Sequence, residues 1–426
     1  MSALDRRVAP PVAMVADIHL PAKQCETLPN GVELTWLRSG NQPLVRLTLQ
    51  WEGGSLDMPR PWLIGTAFEA AKEGAGDLSG SDIADAIDFN GARLSKRVSD
   101  HFSGLELLVL KDRLAVMLPV LSSIITKPHF DEDAIRRILS RAAARQATNL
   151  AKVAYLAGIS VNERIYGEHH PMVYMPTPQE ITDTDRVKVV DAFTTAVSAG
   201  RLHAFLAGDV TDEVLAEVRD FLAQLPVAQG ASPIKIVPFA PQQPSRTSID
   251  MPDALQAAVA MGMPSIPRSH PDYIKLRMSI IALGGYFSSR LMKNIREDKG
   301  LTYGIQSVLL GTHEGASMRI VAQCDKAYVD QVITETCNEI RGMVANPPAG
   351  DELNRLKLNV WTSLAAITDS PFSIMDHYIA DMQVGTGADY FARQLAAVES
   401  INSQDISDLV SRYIDPAQFS IAVCGA

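Results

Sequence analysis

LGGYFSSRLMKNIREDKGLTYGIQSV, residues 283–308, sets Arg296 and Tyr303 seven positions apart across a Lys299-Gly300 turn. Gly284-Gly285 precede a helical run with Phe287, Leu291 and Ile295 as its apolar stripe, and Gly300 sits where that helix should stop. A strand follows, with Tyr303, Ile305 and Val308 as its bulky members. An arginine ending a helix and a tyrosine opening a strand can face one groove. There a guanidinium fork and a phenol suit peptide carbonyls and carboxylates.

Outward from this stretch the chain repeats itself. Leu118, Leu121, Ile124 and Ile125 run into Lys127-Pro128 and then Asp131; Cys337, Ile340, Met343 and Val344 run into Asn346-Pro347 and then Asp351. Positions 118 and 337 are 219 apart, as are 125 and 344, about half the chain. A strand of bulky residues leads into each copy, at Phe102 to Leu110 and at Ser317 to Cys324, and each amphipathic helix has one apolar stripe. Residues 201–226 read as a buried strand, a Gly208-Asp209 turn, a helix capped by Thr211 and an exit at Pro226. Phe419 to Gly425 reads as the matching strand of the second copy. Strands and helices do not alternate strictly, so the expected fold is α+β: two homologous domains, each a largely antiparallel sheet covered by helices. Residues 1–230 and 247–426 are the expected domains, joined by a linker at 231–246 rich in Pro and Gln.

Composition agrees with this division. A chain of 426 residues is too long for one ordinary core. At 46% hydrophobic and 21% charged it reads as a soluble globular protein. A net charge of −10 argues against a nucleic-acid surface. The longest apolar stretch, 105–125, is broken by Glu106 and by Lys111-Asp112-Arg113, so no membrane span is expected. Cys25, Cys324, Cys337 and Cys424 lie far apart without a C-x-x-C spacing, which supports neither disulfides nor a zinc ribbon. Residues 1–20 hold no apolar core of signal-peptide length before Pro10. The expected compartment is the cytoplasm; a periplasmic protein whose leader had been removed would look the same.

The order Gly284-Gly285, Ser288-Ser289-Arg290-Leu291, Arg296, Gly300-Leu301, Tyr303 resembles the C-terminal half of the insulinase/pitrilysin-type, inverted-motif zinc metallopeptidases, which include the mitochondrial processing peptidases. The upstream run 255–278, with its Pro-Asp-Tyr, resembles the same half. The resemblance covers most of the chain from about Leu28, strongly in the second half and through scaffold alone in the first. It implies that Arg296 and Tyr303 bind substrate beside a zinc site supplied by an N-terminal half, in the same chain or in a partner.

Catalytic members carry His-x-x-Glu-His on an early helix and a further Glu downstream: two histidines and a glutamate hold zinc, and the motif's own Glu activates the bound water. Counting back from Gly74 puts Gly65, Phe68 and Glu69 at the His, Glu and His positions; a one-residue slide gives Thr66, Glu69 and Ala70. Neither register holds a histidine. The expected downstream helix, 132–158, has no acid between Asp133 and Glu163. Gly, Thr, Phe and Ala offer zinc no donor comparable to imidazole, so this chain is not expected to bind the catalytic zinc. The densest histidine cluster, His169-His170, resembles the family's His-Pro-Tyr-Gly loop, and His101, His129, His203, His270, His313 and His377 are scattered singly.

The expected function is that of a non-catalytic subunit. It would pair with a His-x-x-Glu-His homologue carrying the zinc and help to bind an unfolded peptide as an added strand. One alternative is a homodimeric pseudopeptidase that binds peptides without cutting; another is a hydrolase of unrecognised chemistry, for which no G-x-S-x-G elbow or nucleophile grouping is placed persuasively.

Overall fold

The computed structural model describes residues 18–40, 42–227 and 233–426. The first half runs β1 (Gln24–Thr27), β2 (Glu33–Arg38), β3 (Leu44–Glu52), α1 (Leu63–Ala70), β4 (Gly74–Ala75), β5 (Leu78–Ser79), α2 (Gly80–Phe89), β6 (Arg93–Val98), β7 (Phe102–Leu110), α3 (Leu114–Thr126), α4 (Glu132–Leu150), α5 (Val153–Tyr166), α6 (Pro178–Thr182), α7 (Arg186–Ala199), β8 (Leu202–Gly208) and α8 (Asp212–Ala223). The second runs β9 (Arg246–Ile249), β10 (Ala257–Ser265), α9 (Tyr273–Gly284), a π-helical turn (Met292–Asp298), β11 (Thr302–Gly311), β12 (Ala316–Cys324), α10 (Val329–Ala345), α11 (Gly350–Ile367), α12 (Pro371–Val384), α13 (Tyr390–Ser400), α14 (Ser403–Tyr413) and β13 (Ser420–Cys424). Residue 230, the expected domain end, lies outside the described residues; 233–245 form no helix or strand, and β9 starts at the last expected linker residue.

The two sheets have the orders β1-β2-β8-β3-β7-β6 and β11-β12-β10-β13-β9. Without β1, and with the second read backwards, they are one order: β2-β8-β3-β7-β6 against β9-β13-β10-β12-β11. Each is antiparallel apart from one parallel pair, β2 with β8 and β9 with β13. The fold is α+β, and the repeat seen in the helices extends to the strands. The cap falls where the sequence places it at Thr211, whose Oγ1 accepts from Val214 N at 3.3 Å, and Asp131 Oδ1 likewise caps α4 by accepting from Ala134 N at 2.9 Å.

One expected helix is two. The run 132–158 breaks at Ala151-Lys152, where Lys152 turns extended, and α5 restarts at Val153. No strong breaker stands there; tertiary packing overrides propensity. Ala157, Val161 and Ile165 of α5 pack not on the first sheet but on Ala258, Ala260 and Ala422 of the second. The equivalent helix α12, 218 positions on at both ends, sends Ile374, Met375 and Ile379 back onto Leu37, Phe205 and Ala207 of the first. The halves have exchanged a helix. Each fully buried Val or Ile contributes about 1.5–3 kcal/mol, so this exchange outweighs the surface ion pairs, whose median is about 0–1 kcal/mol. A polar clamp is added at α12, where Arg46 Nη1 and Nη2 each lie 3.0 Å from an oxygen of Asp376.

A second junction joins two hairpin turns. His101, between β6 and β7, lies 3.1 Å from both oxygens of Asp57 through Nδ1 and 2.5 Å from Glu314 Oε1 through Nε2; Glu314 lies between β11 and β12. All three side chains are buried.

Candidate functional site

Helix α1 carries Gly65, Phe68 and Glu69, the residues expected at the metal-motif positions, and directs them to different surroundings. Phe68 is fully buried, its ring 5.1 Å from Phe193 and 6.2 Å from Trp51. Gly65 and Glu69 face a cleft of about 790 Å³ between α1 and α4, which Lys96, Arg141 and Arg145 also line. Lys96 Nζ donates to Gly65 O at 2.9 Å and lies 3.7 Å from Glu69 Oε2. Lys72 Nζ holds the same oxygen at 3.3 Å. Burial pulls the Lys96 ammonium below its ordinary range, the nearby Lys72 and Arg145 charges add to that, and Glu69 opposes it. The donor set does not fit zinc. It offers one carboxylate already held by two ammonium groups, no imidazole, and two guanidiniums on the facing helix. Among the described residues no group of three or more His, Cys, Asp or Glu side chains is placed to hold a metal. The i, i+4 spacing of Arg141 and Arg145 is carried by the run RAAAR.

His170 behaves as a loop residue. Its Nδ1 accepts from Met172 N at 3.1 Å, and its Nε2 donates to Val237 O at 2.8 Å. His101, by contrast, is far from idle, because it joins Asp57 to Glu314. Nothing local marked it, since Glu314 lies 213 residues away.

The Arg296 and Tyr303 region is built differently from the sequence expectation. Gly284 ends α9, the helical run expected after Gly284-Gly285 begins only at residue 290, and Arg296 sits in its π-helical turn. Leu291 and Ile295 are buried as expected, but Phe287 is 62% exposed, with the Arg296 guanidinium 4.7 Å from its ring centre. Phe287 lies in the non-helical turn at 285–289, before the helical run begins at residue 290, so the helical stripe does not extend to it. Gly300, at φ +62°, ends the turn, and Leu301 N donates to Ile295 O at 2.9 Å.

Strand β11 is an edge strand, and its pairing with β12 slips between Thr302 and Ile305. That bulge turns Tyr303 out, 90% exposed, while Ile305 and Leu309 keep the buried face. Tyr303 lines a cavity of about 500 Å³ with Ala154 and Ala157 of α5; Arg296 is not among its lining residues. The first turns of α5 also border the α1–α4 cleft through Tyr155.

Residues 184–360 match the family described as the peptidase M16 inactive domain. The chain is 23% identical over 258 residues to the non-peptidase homolog YmxG of Helicobacter pylori, a match that spans 59% of each protein. Its fold is shared with the peptidase M16 inactive domain from Pseudomonas fluorescens, at a TM-score of 0.85 and 21% identity, over 95% of this chain and 98% of that one. The periplasmic protease PqqL from Escherichia coli matches at a TM-score of 0.79 and 18% identity, over 99% of this chain and 48% of the protease. The chain thus spans about three fifths of the curated relative and about half of the protease. With its duplicated sheet order and a match to the inactive-domain description over residues 184–360, the chain fits an inactive member of the M16, insulinase-type peptidases.

Proposed function

We propose that this chain is a non-catalytic, peptide-binding subunit that lends Arg296 and Tyr303 to a homologue carrying His-x-x-Glu-His and zinc. The observation that carries this reading is Tyr303, 90% exposed on an open edge strand at a bulge. An edge strand leaves backbone donors and acceptors free to add an extended peptide, and the bulge aims a phenol at whatever lies beside it. That a chain of this fold fills only about half of a periplasmic protease supports a working unit larger than one such chain. Arg296, stacked on the exposed Phe287, is free of ion pairs among the described residues. Among the described residues no helix is long and apolar enough to cross a membrane.

The test is purification from the native cell with mass spectrometry and a zinc assay. A stoichiometric partner with the intact motif, carrying zinc, supports the reading. In the reconstituted complex, Arg296→Ala or Tyr303→Phe is expected to slow peptide cleavage about 10- to 1,000-fold without dissociating the subunits. Wild-type rates from both variants would remove the assigned role. Recovery of a zinc-free homodimer that still binds peptide would favour a pseudopeptidase instead.

A further inference from the structure

The cleft between α1 and α4 has a counterpart in the second half. A cavity of about 750 Å³ lies among β11, α9, α11, α12 and α13. Arg141, Arg145 and Asn149 of the first hollow correspond to Asn359, Ser363 and Ile367 of the second, each 218 positions on. The duplication keeps two hollows, and the subunit role proposed above, which uses the β11 wall of the second, assigns nothing to the polar side chains of its helical walls.

Its wall holds polar groups left without partners. Gln394 is 8% exposed, yet its Oε1 accepts no hydrogen bond among the described residues. Arg268 Nε is buried and equally unpartnered; its guanidinium stands 5.9 Å from the centre of the Tyr390 ring. Arg277 lines the same wall and makes no ion pair among the described residues. Asp381 Oδ1 accepts from Thr386 Oγ1 at 2.7 Å, and its Oδ2 lies 3.3 Å from His377 Nε2, which has no hydrogen-bond partner. Burial holds His377 below the ordinary imidazole range, the Arg268 charge adds to that, and Asp381 opposes it. A neutral His377 leaves the Asp381 carboxylate uncompensated.

A buried polar atom without a partner costs about 1–3 kcal/mol, and several on one wall call for a ligand that satisfies them. The volume falls within the roughly 300–1,000 Å³ usual for small-molecule sites. Two unpaired guanidiniums suit a carboxylate. A carboxylate and an amide oxygen suit an ammonium group. We propose that this cavity binds a small zwitterion bearing an ammonium and a carboxylate, a free amino acid or a dipeptide, with Arg268 and Arg277 taking the carboxylate and Gln394 and Asp381 the ammonium.

Isothermal titration of the full chain with each natural amino acid, and with alanyl-alanine, tests this. Saturable heat from at least one of them is expected, and whether a single residue or the dipeptide gives it sets the ligand's length. Amidating the carboxylate or acetylating the amine of that compound is expected to weaken binding about tenfold or more, as are Arg268→Met and Gln394→Met. Arg141→Ala, in the first-half cleft, is expected to leave binding unchanged. If Arg268→Met does not fold, Arg277→Gln, at an exposed position, carries the same comparison. No saturable heat from any zwitterion, or equal affinity for the blocked compounds, overturns the proposal.

Discussion

Phe68, expected at the Glu position of the motif, has its ring in the core between Trp51 and Phe193. Phe68→Ala is therefore expected to cost about 3–5 kcal/mol, read as a lowered denaturation midpoint with an unchanged slope. Restoring an acid there would bury an unpaired carboxylate in the same core. His101 sets a second residue-scale expectation. Burial opposes its charge, but bonds to Asp57 and Glu314 prevail and raise it to about 9. An unfolded imidazole titrates near 6.5, so the stabilisation is complete below about pH 6.5 and lost as pH rises through about 9. Thermal melting from pH 6 to pH 10 is expected to show that loss, on the order of 3 kcal/mol. His101→Gln is expected to lower stability at neutral pH and to flatten the profile over the same window. A parallel pH profile in wild type and variant would sink this reading.

At the scale of elements, much of the fold was legible because local signals agreed with the packing: Thr211 caps α8, Pro128 and Pro347 stand in the breaks before α4 and α11, and Gly300 ends the turn before β11. What escaped reading was set by distant contacts. The π turn at Arg296, the bulge that exposes Tyr303 and the break at Lys152 each answer to packing that periodicity does not encode. Helix α5 shows the physical reason most clearly. Gly262 on β10 leaves space for it, since a Cβ there would lie 2.5 Å from both Ile165 Cδ1 and Val161 Cγ1. Gly262→Val is expected to cost about 1–3 kcal/mol by overpacking and to raise amide exchange across Val153–Tyr166 selectively. Uniform exchange throughout the chain would point to global destabilisation and away from a seat for α5.

Across the whole molecule, the duplication read from two helices proves to run through both sheet orders and both hollows, but the exchange of α5 and α12 was invisible, because equivalent sequences occupy opposite sheets. That exchange changes what the two copies can do alone. The first-half segment would carry α5 with Ala157, Val161 and Ile165 facing water, and would leave Phe205 and Ala207 uncovered; the second would bare Ile374, Met375 and Ile379, and also Ala258 and Ala260. The Asp57–His101–Glu314 junction would be cut as well, leaving carboxylates on both sides and the only cation on one. Residues 1–230 and 247–426 expressed separately are therefore expected to be insoluble or loosely packed, with weak near-ultraviolet dichroism and strong dye binding. Co-expressed, they are expected to recover a one-to-one complex that melts cooperatively, since the exchanged helices need proximity and not covalent continuity. If either half alone melted cooperatively, as a monomer, the exchange would be an ornament of two self-sufficient domains. Failure of co-expression to rescue them would instead make the covalent link between the halves necessary for assembly.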